Sequence, residues 1–200
     1  MASEADLMFL ISGRETGRVS GELAFTNFDT QRLEEITSKG IHISSNQVQY
    51  SLIDQSPAAR MQQFCLDSHI ELLTYGTLAG GFLSERCLGK AAPTSREDLN
   101  TVSLSKYENM INTLFQDLLV ALETIARRHG CSVASMATHY VLDCPAVGGV
   151  IVGCRLGVAW RHINDILRSC SHGLELTEED LNDIEAETRR SRNLVELKGD

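Results

Sequence analysis

Short apolar runs rich in branched residues alternate with amphipathic helical segments along this chain, and that alternation constrains the fold more than any other feature. Residues 23–25 form the first strand-like run, which leads into Thr26-Asn27-Phe28. Asp29 then caps a helix through Leu33, Glu35 and Ile36, and Gly40 closes it. Residues 41–50 read as a second strand, and residues 58–69 as a helix with Met61, Phe64 and Cys65 on one side. Residues 70–75 read as a third strand and residues 149–153 as a fourth. Strand followed by helix, repeated, requires parallel neighbours, because a tight hairpin joins only antiparallel ones. The expected class is α/β with a parallel sheet.

Between the third and fourth strands lie a polar loop at 92–103 and two expected helices at 106–128 and 132–143. Residues 84–130 are read as an insertion after the third strand, where α/β folds place binding loops. Thr177-Glu178-Glu179-Asp180 opens a last helix to about residue 190, with a hydroxyl at the cap and acids in the first turn, and residues 191–200 are expected to be a flexible tail. With 200 residues, residues 1–200 fit one domain, and the 42% hydrophobic content is enough for a core. The net charge of −9 offers no footprint for nucleic acid or anionic lipid. The apolar run at 7–11 is too short for a signal core or a membrane span, so a cytoplasmic location is expected. The cysteines and histidines form neither CxxC nor HExxH, so reduced thiols and no metal are expected.

Several motifs admit two readings from their residues alone. Gly76-Thr77-Leu78-Ala79-Gly80-Gly81 follows the third strand directly, which suits either backbone amides approaching an anion or a plain flexible turn. It is not GxGxxG, and Gly89-Lys90-Ala91 fails as a P-loop. Tyr75, at a strand end, suits stacking on a planar ring or a lid on the core. Gly153-Cys154-Arg155 suits a phosphate contact or a helix-entry turn. Asn46 and Gln47, polar within a strand, either orient a ligand amide or satisfy a neighbouring strand end.

Four segments, taken in order and spacing, resemble the aldo-keto reductase family: Phe25-Thr26-Asn27-Phe28-Asp29, Ser45-Asn46-Gln47-Val48-Gln49-Tyr50-Ser51, Leu73-Thr74-Tyr75-Gly76-Thr77-Leu78-Ala79-Gly80-Gly81-Phe82-Leu83, and Val150-Ile151-Val152-Gly153-Cys154-Arg155. The resemblance covers roughly residues 14–187 and implies a partial (β/α)8 TIM barrel, about strands five to eight with their helices. It also implies an NADP(H)-dependent oxidoreductase acting on aldehyde and ketone carbonyls. Thr26, Asn27 and Gln47 then match positions that hold the nicotinamide carboxamide, and Tyr75 matches the aromatic that stacks on the ring. Gly76, Thr77, Leu78 and Gly80 match the loop along the pyrophosphate, Gly153, Cys154 and Arg155 the segment near the adenosine phosphates, and Arg161 the 2′-phosphate contact.

The family's catalytic Asp, Tyr, Lys and His lie in its first barrel half, and this chain begins after them. None of Lys39, Lys90, Lys106 and Lys198 sits at a strand end to substitute, so no residue here is assigned a catalytic role and the chain alone is expected to be inactive. Half a barrel also leaves open edges and an apolar inner face, which predicts self-association or marginal stability. The alternative to a reductase is a non-enzymatic half-barrel, an interaction or regulatory protein that pairs with itself or a complete homologue.

Overall fold

Four parallel strands lie side by side in chain order: β1 (Ala24–Thr26), β2 (Ser45–Gln49), β3 (Glu71–Tyr75) and β4 (Val147–Ile151). The computed structural model describes residues 22–90, 113–153, 163–164, 167 and 174–192. The expected polar loop at 92–103 and the start of the helix expected at 106 lie outside them.

Local chemistry accounts for the first crossover. Asp29 Oδ1 accepts from the Arg32 amide at 2.7 Å and so caps α1 (Thr30–Ser38). Gly40, at φ +77°, then reverses the chain in a conformation that costs a glycine little. The second crossover departs from expectation. In place of one helix over 58–69 there are two, α2 (Ser56–Ala59) and α3 (Met61–Asp67), broken at Arg60, whose φ is −142°. The Arg60 guanidinium lies 2.6 Å from Glu34 Oε2 on α1, an exposed pair that ties the two crossovers together.

After β3 come α4 (Thr113–Arg128), α5 (Val133–Leu142) and, beyond β4, α6 (Glu178–Arg192). Ser132 caps α5 by accepting from the Ser135 amide at 3.0 Å. Thus α5 packs on β4 as the crossover helix, while α4 lies against α5 and α6. The strand starting at Val147 begins two residues earlier than expected. The ladder explains this: the Leu72 amide donates to the Ala146 carbonyl at 2.8 Å, and a register shift follows between Leu72 and Leu73. At Gly148 a Cβ would fall 2.9 Å from Glu71 Cβ, so the close approach of β3 and β4 needs glycine there.

The two faces of the sheet differ. Phe25, Val48 and Leu72 point under the helices and join Leu33, Ile36, Met61 and Cys65 in one apolar cluster. Fully burying one such Leu or Ile contributes roughly 1.5–3 kcal/mol. A second cluster fills the helical layer, with Leu118, Leu119, Leu122 and Ile125 of α4 against Val133 and Met136 of α5 and Ile184 of α6. On the other face stand Thr26, Ser45, Gln47, Gln49, Glu71, Leu73 and Tyr75, exposed or half-buried. An apolar inner face was expected from half a barrel. The observed face is mainly polar, because the strand period of two sends the apolar residues of β1 to β3 under the helices.

One ionic clasp holds the helical layer at its edge. Asp180 Oδ2 accepts from the Thr177 amide at 3.0 Å and from its hydroxyl at 2.8 Å, and the Asp180 amide donates back to Thr177 Oγ1 at 3.2 Å. His129 Nε2 lies 2.8 Å from the same Oδ2, and Arg128 Nη2 lies 2.8 Å from Oδ1, both at the carboxyl end of α4. Burial pushes this carboxyl up, but the hydrogen bonds from His129 and Thr177 and the Arg128 charge outweigh it and hold its pKa at about 2. No helix among the described residues is long and apolar enough to cross a membrane.

Candidate functional site

Three strand ends meet at the carboxyl edge of the face left uncovered among the described residues. Thr26 and Gln47 are direct neighbours in the parallel register, and Gln49 neighbours Tyr75. The ladder runs one residue past β1, where the Asn27 amide donates to the Gln47 carbonyl at 2.8 Å. Asn27 then adopts φ +58°. That left-handed state is uncommon outside glycine, costs on the order of 1 kcal/mol, and suits asparagine better than most residues. The Tyr75 hydroxyl donates to Asn27 Oδ1 at 2.9 Å, bridging the ends of β3 and β1 across β2. Thr26, Asn27, Gln47 and Tyr75 therefore stand together at this edge.

Asn46 and Gln47 take opposite faces of β2. Asn46 is fully buried, and its Nδ2 donates to the Phe28 carbonyl at 2.9 Å, so it satisfies a neighbouring strand end. Gln47 is half-buried and shares the uncovered face with Thr26, which leaves it the group suited to a ligand amide.

The glycine loop after Tyr75 is ordered by particular contacts. At Gly76, φ is +69° and a Cβ would meet Gln49 Cγ at 3.2 Å. Buried Thr77 turns its hydroxyl to the Tyr50 carbonyl at 3.1 Å, so of its polar groups only the backbone remains for an anion. Leu78 packs on the helical-layer cluster, and a 3₁₀ turn at Ala79–Gly81 follows. Gly80 is exposed at φ +70°, which brings bare backbone to the surface beside the strand end.

Arg86 escaped the sequence reading. Its Nη2 lies 3.5 Å from where a Cβ of Gly81 would be, which sets an exposed guanidinium against the glycine loop. The signal was available: a basic residue shortly after a glycine pair that ends a strand–turn unit is a natural counter-charge for an anion. Past β4, Gly153 is exposed, with open space where a Cβ would stand. Cys154, Arg155 and Arg161 lie outside the described residues.

Tyr50 accepts from Gln62 Nε2 at 2.8 Å and lies 3.3 Å from Cys144 Sγ. Burial first, then the neighbouring Cys144, pushes the Tyr50 phenol far above its ordinary range, and burial likewise raises the Cys144 thiol. Burial also pushes the Cys65 thiol up to about 11, which keeps it protonated and unreactive at neutral pH.

The edge thus offers a hydroxyl, two carboxamides and an aromatic ring within one cluster, beside a glycine loop flanked by a cation. That set fits a planar, amide-bearing ring joined to a phosphate chain.

Comparison with known proteins identifies the family and the fold. A model of the "Aldo/keto reductase family" matches residues 3–188. The proteins named Protein tas of Escherichia coli (strain K12) and of Shigella flexneri are each 30% identical over 137 residues, 68% of this chain and 37% of theirs. The crystal structure of a thermostable aldo-keto reductase in complex with the inhibitor epalrestat superposes with a TM-score of 0.65 at 21% identity, covering 94% of this chain and 55% of that one. The structure of the glycerol dehydrogenase of Gluconobacter oxydans superposes with a TM-score of 0.72 at 19% identity, covering 93% and 54%. The chain therefore spans little more than half the length of the solved structures it matches, and its aligned part 37% of the curated relatives.

Proposed function

The chain belongs to the aldo/keto reductase family, and from that premise we propose that it carries the cofactor-holding half of an NADP(H)-dependent oxidoreductase acting on aldehyde and ketone carbonyls. The observation that carries this reading is the meeting of Thr26, Asn27, Gln47 and Tyr75 on one face, with Tyr75 and Asn27 joined at 2.9 Å. On this reading the four strands are strands five to eight of an eight-stranded barrel, and the protein is cytoplasmic. Bound NADPH supplies a hydride to a carbonyl carbon.

The chain's own residues hold and orient. Thr26, Asn27 and Gln47 offer donors and acceptors to a carboxamide, fixing which face of the ring is presented, while Tyr75 covers the other side. The backbone of Gly76, Thr77, Leu78 and Gly80, with Arg86 beside Gly81, would hold the pyrophosphate. Gly153, Cys154, Arg155 and Arg161 complete the reading at the adenosine end. No residue of this chain is assigned the protonation of the carbonyl oxygen.

A nicotinamide-fluorescence titration of the full chain with NADPH tests this. Saturable binding is expected, and Tyr75→Ala should weaken it about tenfold by removing the stacked ring. A folded protein that never saturates overturns the reading. The second reading, a non-enzymatic half-barrel that pairs with a copy or homologue, is favoured by one observation: among the described residues, the outer edges of β1 and β4 have no strand beside them. A stable dimer that forms without cofactor would support it.

A further inference from the structure

We infer that Asn46 is a positioning residue for the nicotinamide end of the site, acting through Asn27 without touching the ligand. The inference rests on the cofactor reading above and extends it to a side chain on the opposite face of the sheet.

Asn46 is wholly buried, and a carboxamide removed from water must be paired. Its bonds converge on one short stretch of backbone. Nδ2 donates to the Phe28 carbonyl at 2.9 Å, and the Phe28 amide donates to Oδ1 at 3.4 Å, so both polar groups of one residue meet both ends of one amide. The remaining contact of Nδ2 is Met61 Sδ on α3, at 3.8 Å.

The register shows why this geometry reaches the site. Asn46 pairs with Phe25, yet its side chain grips Phe28, three residues further along. An extended strand would carry Phe28 well past that reach. The chain must fold back between them, and it does so at Asn27, with φ +58°. Stacking of Phe25 on Phe28, with centroids 4.3 Å apart, supplies apolar adhesion to the same fold-back. Such stacking tolerates sliding, whereas paired hydrogen bonds fix direction. Asn46 therefore sets the backbone orientation that sends Asn27 Oδ1 toward the Tyr75 hydroxyl. The adjacent residues divide the work: Gln47 faces the ligand side, and Asn46 holds the loop that presents its neighbour in the site.

The test compares NADPH with 2′-phospho-ADP-ribose, which lacks the nicotinamide, on the full chain. Asn46→Leu keeps the branched shape of the side chain and removes both bonds to Phe28. NADPH affinity should fall about tenfold, while affinity for the nicotinamide-free compound stays within about twofold. Unchanged NADPH affinity overturns the inference, and so does an equal fall for both compounds, which would mark a general structural role. If wild-type protein binds neither compound, the cofactor reading fails separately. The inference is then decided by NMR: the Asn27 side-chain amide resonances must shift in Asn46→Leu, and their coincidence with wild type overturns it. Should Asn46→Leu not fold, Asn46→Ser, too short to bridge both Phe28 groups, is read in the same ways.

Discussion

The two faces of the four-stranded sheet are built from alternate residues of the same strands and serve different ends. Under the helices lie Phe25, Val48 and Leu72, each with one tenth or less of its surface exposed. Opposite them stand Thr26, Gln47, Gln49 and Tyr75, half-buried or exposed. The covered face does the work of folding, since its apolar area leaves water. The uncovered face contributes little burial and can carry polar groups chosen for chemistry. Asn46 belongs to both: it is buried with the folding residues, and its hydrogen bonds act on the other side.

Substitutions on the two sides should therefore separate stability from binding, and the largest effect belongs to the covered face. Leu72→Ala should cost about 3 kcal/mol in urea unfolding through the cavity it leaves, with NADPH affinity of the folded fraction unchanged. A comparable loss of affinity would break the division. Next comes the clasp of the helical layer. Asp180→Asn should cost roughly 1–2 kcal/mol at neutral pH through weakened hydrogen bonds.

The sign of its pH dependence follows from a carboxyl lowered from 3.8 to about 2. A depressed acid stabilises the fold fully above its unfolded pKa and loses that contribution as pH falls through its folded one. Wild type should lose this part of its stability between about pH 4 and pH 2. Urea unfolding of Asp180→Asn across the same range should lack that decline.

On the uncovered face, Gln47→Ala should leave stability within about 0.5 kcal/mol while weakening NADPH about tenfold in the fluorescence titration. The smallest effect sharpens the boundary between the faces. Gly76→Ala places a Cβ at φ +69°, 3.2 Å from Gln49 Cγ, and should cost about 1 kcal/mol in thermal unfolding by straining the loop.

Much of this was legible in the sequence, for identifiable reasons. β1 and β3 lie within one residue of their expected bounds, because branched and aromatic residues at a period of two mark them. The covered stretch of β2 shrinks to Ser45–Gln49, since residues 41–44 approach the sheet without sustained pairing. β4 starts earlier than expected because Gly148 carries no strand propensity, and only the ladder reveals that Val147 pairs with Leu72 ahead of the irregularity. The break at Arg60 has no local breaker beside it, as Pro57 sits within the first turn of α2, where proline is tolerated.

At the site, Gln47 and Tyr75 stand out from their places in the strands, whereas Thr26 and Asn27 are indicated only by the family resemblance. The division of labour between Asn46 and Gln47 was not legible, because it depends on which face the helices cover. The polar character of the uncovered face is present in the alternation Ser45, Gln47, Gln49.

Mapping backbone amide shifts of the full chain during an NADPH titration tests the central claim most directly. The account predicts that saturable perturbations concentrate at Thr26, Asn27, Gln47, Tyr75 and the loop from Gly76 to Gly80, leaving the interiors of α1 and α3 unmoved. Perturbations confined to the helix-covered side, or none in a folded protein, would contradict it.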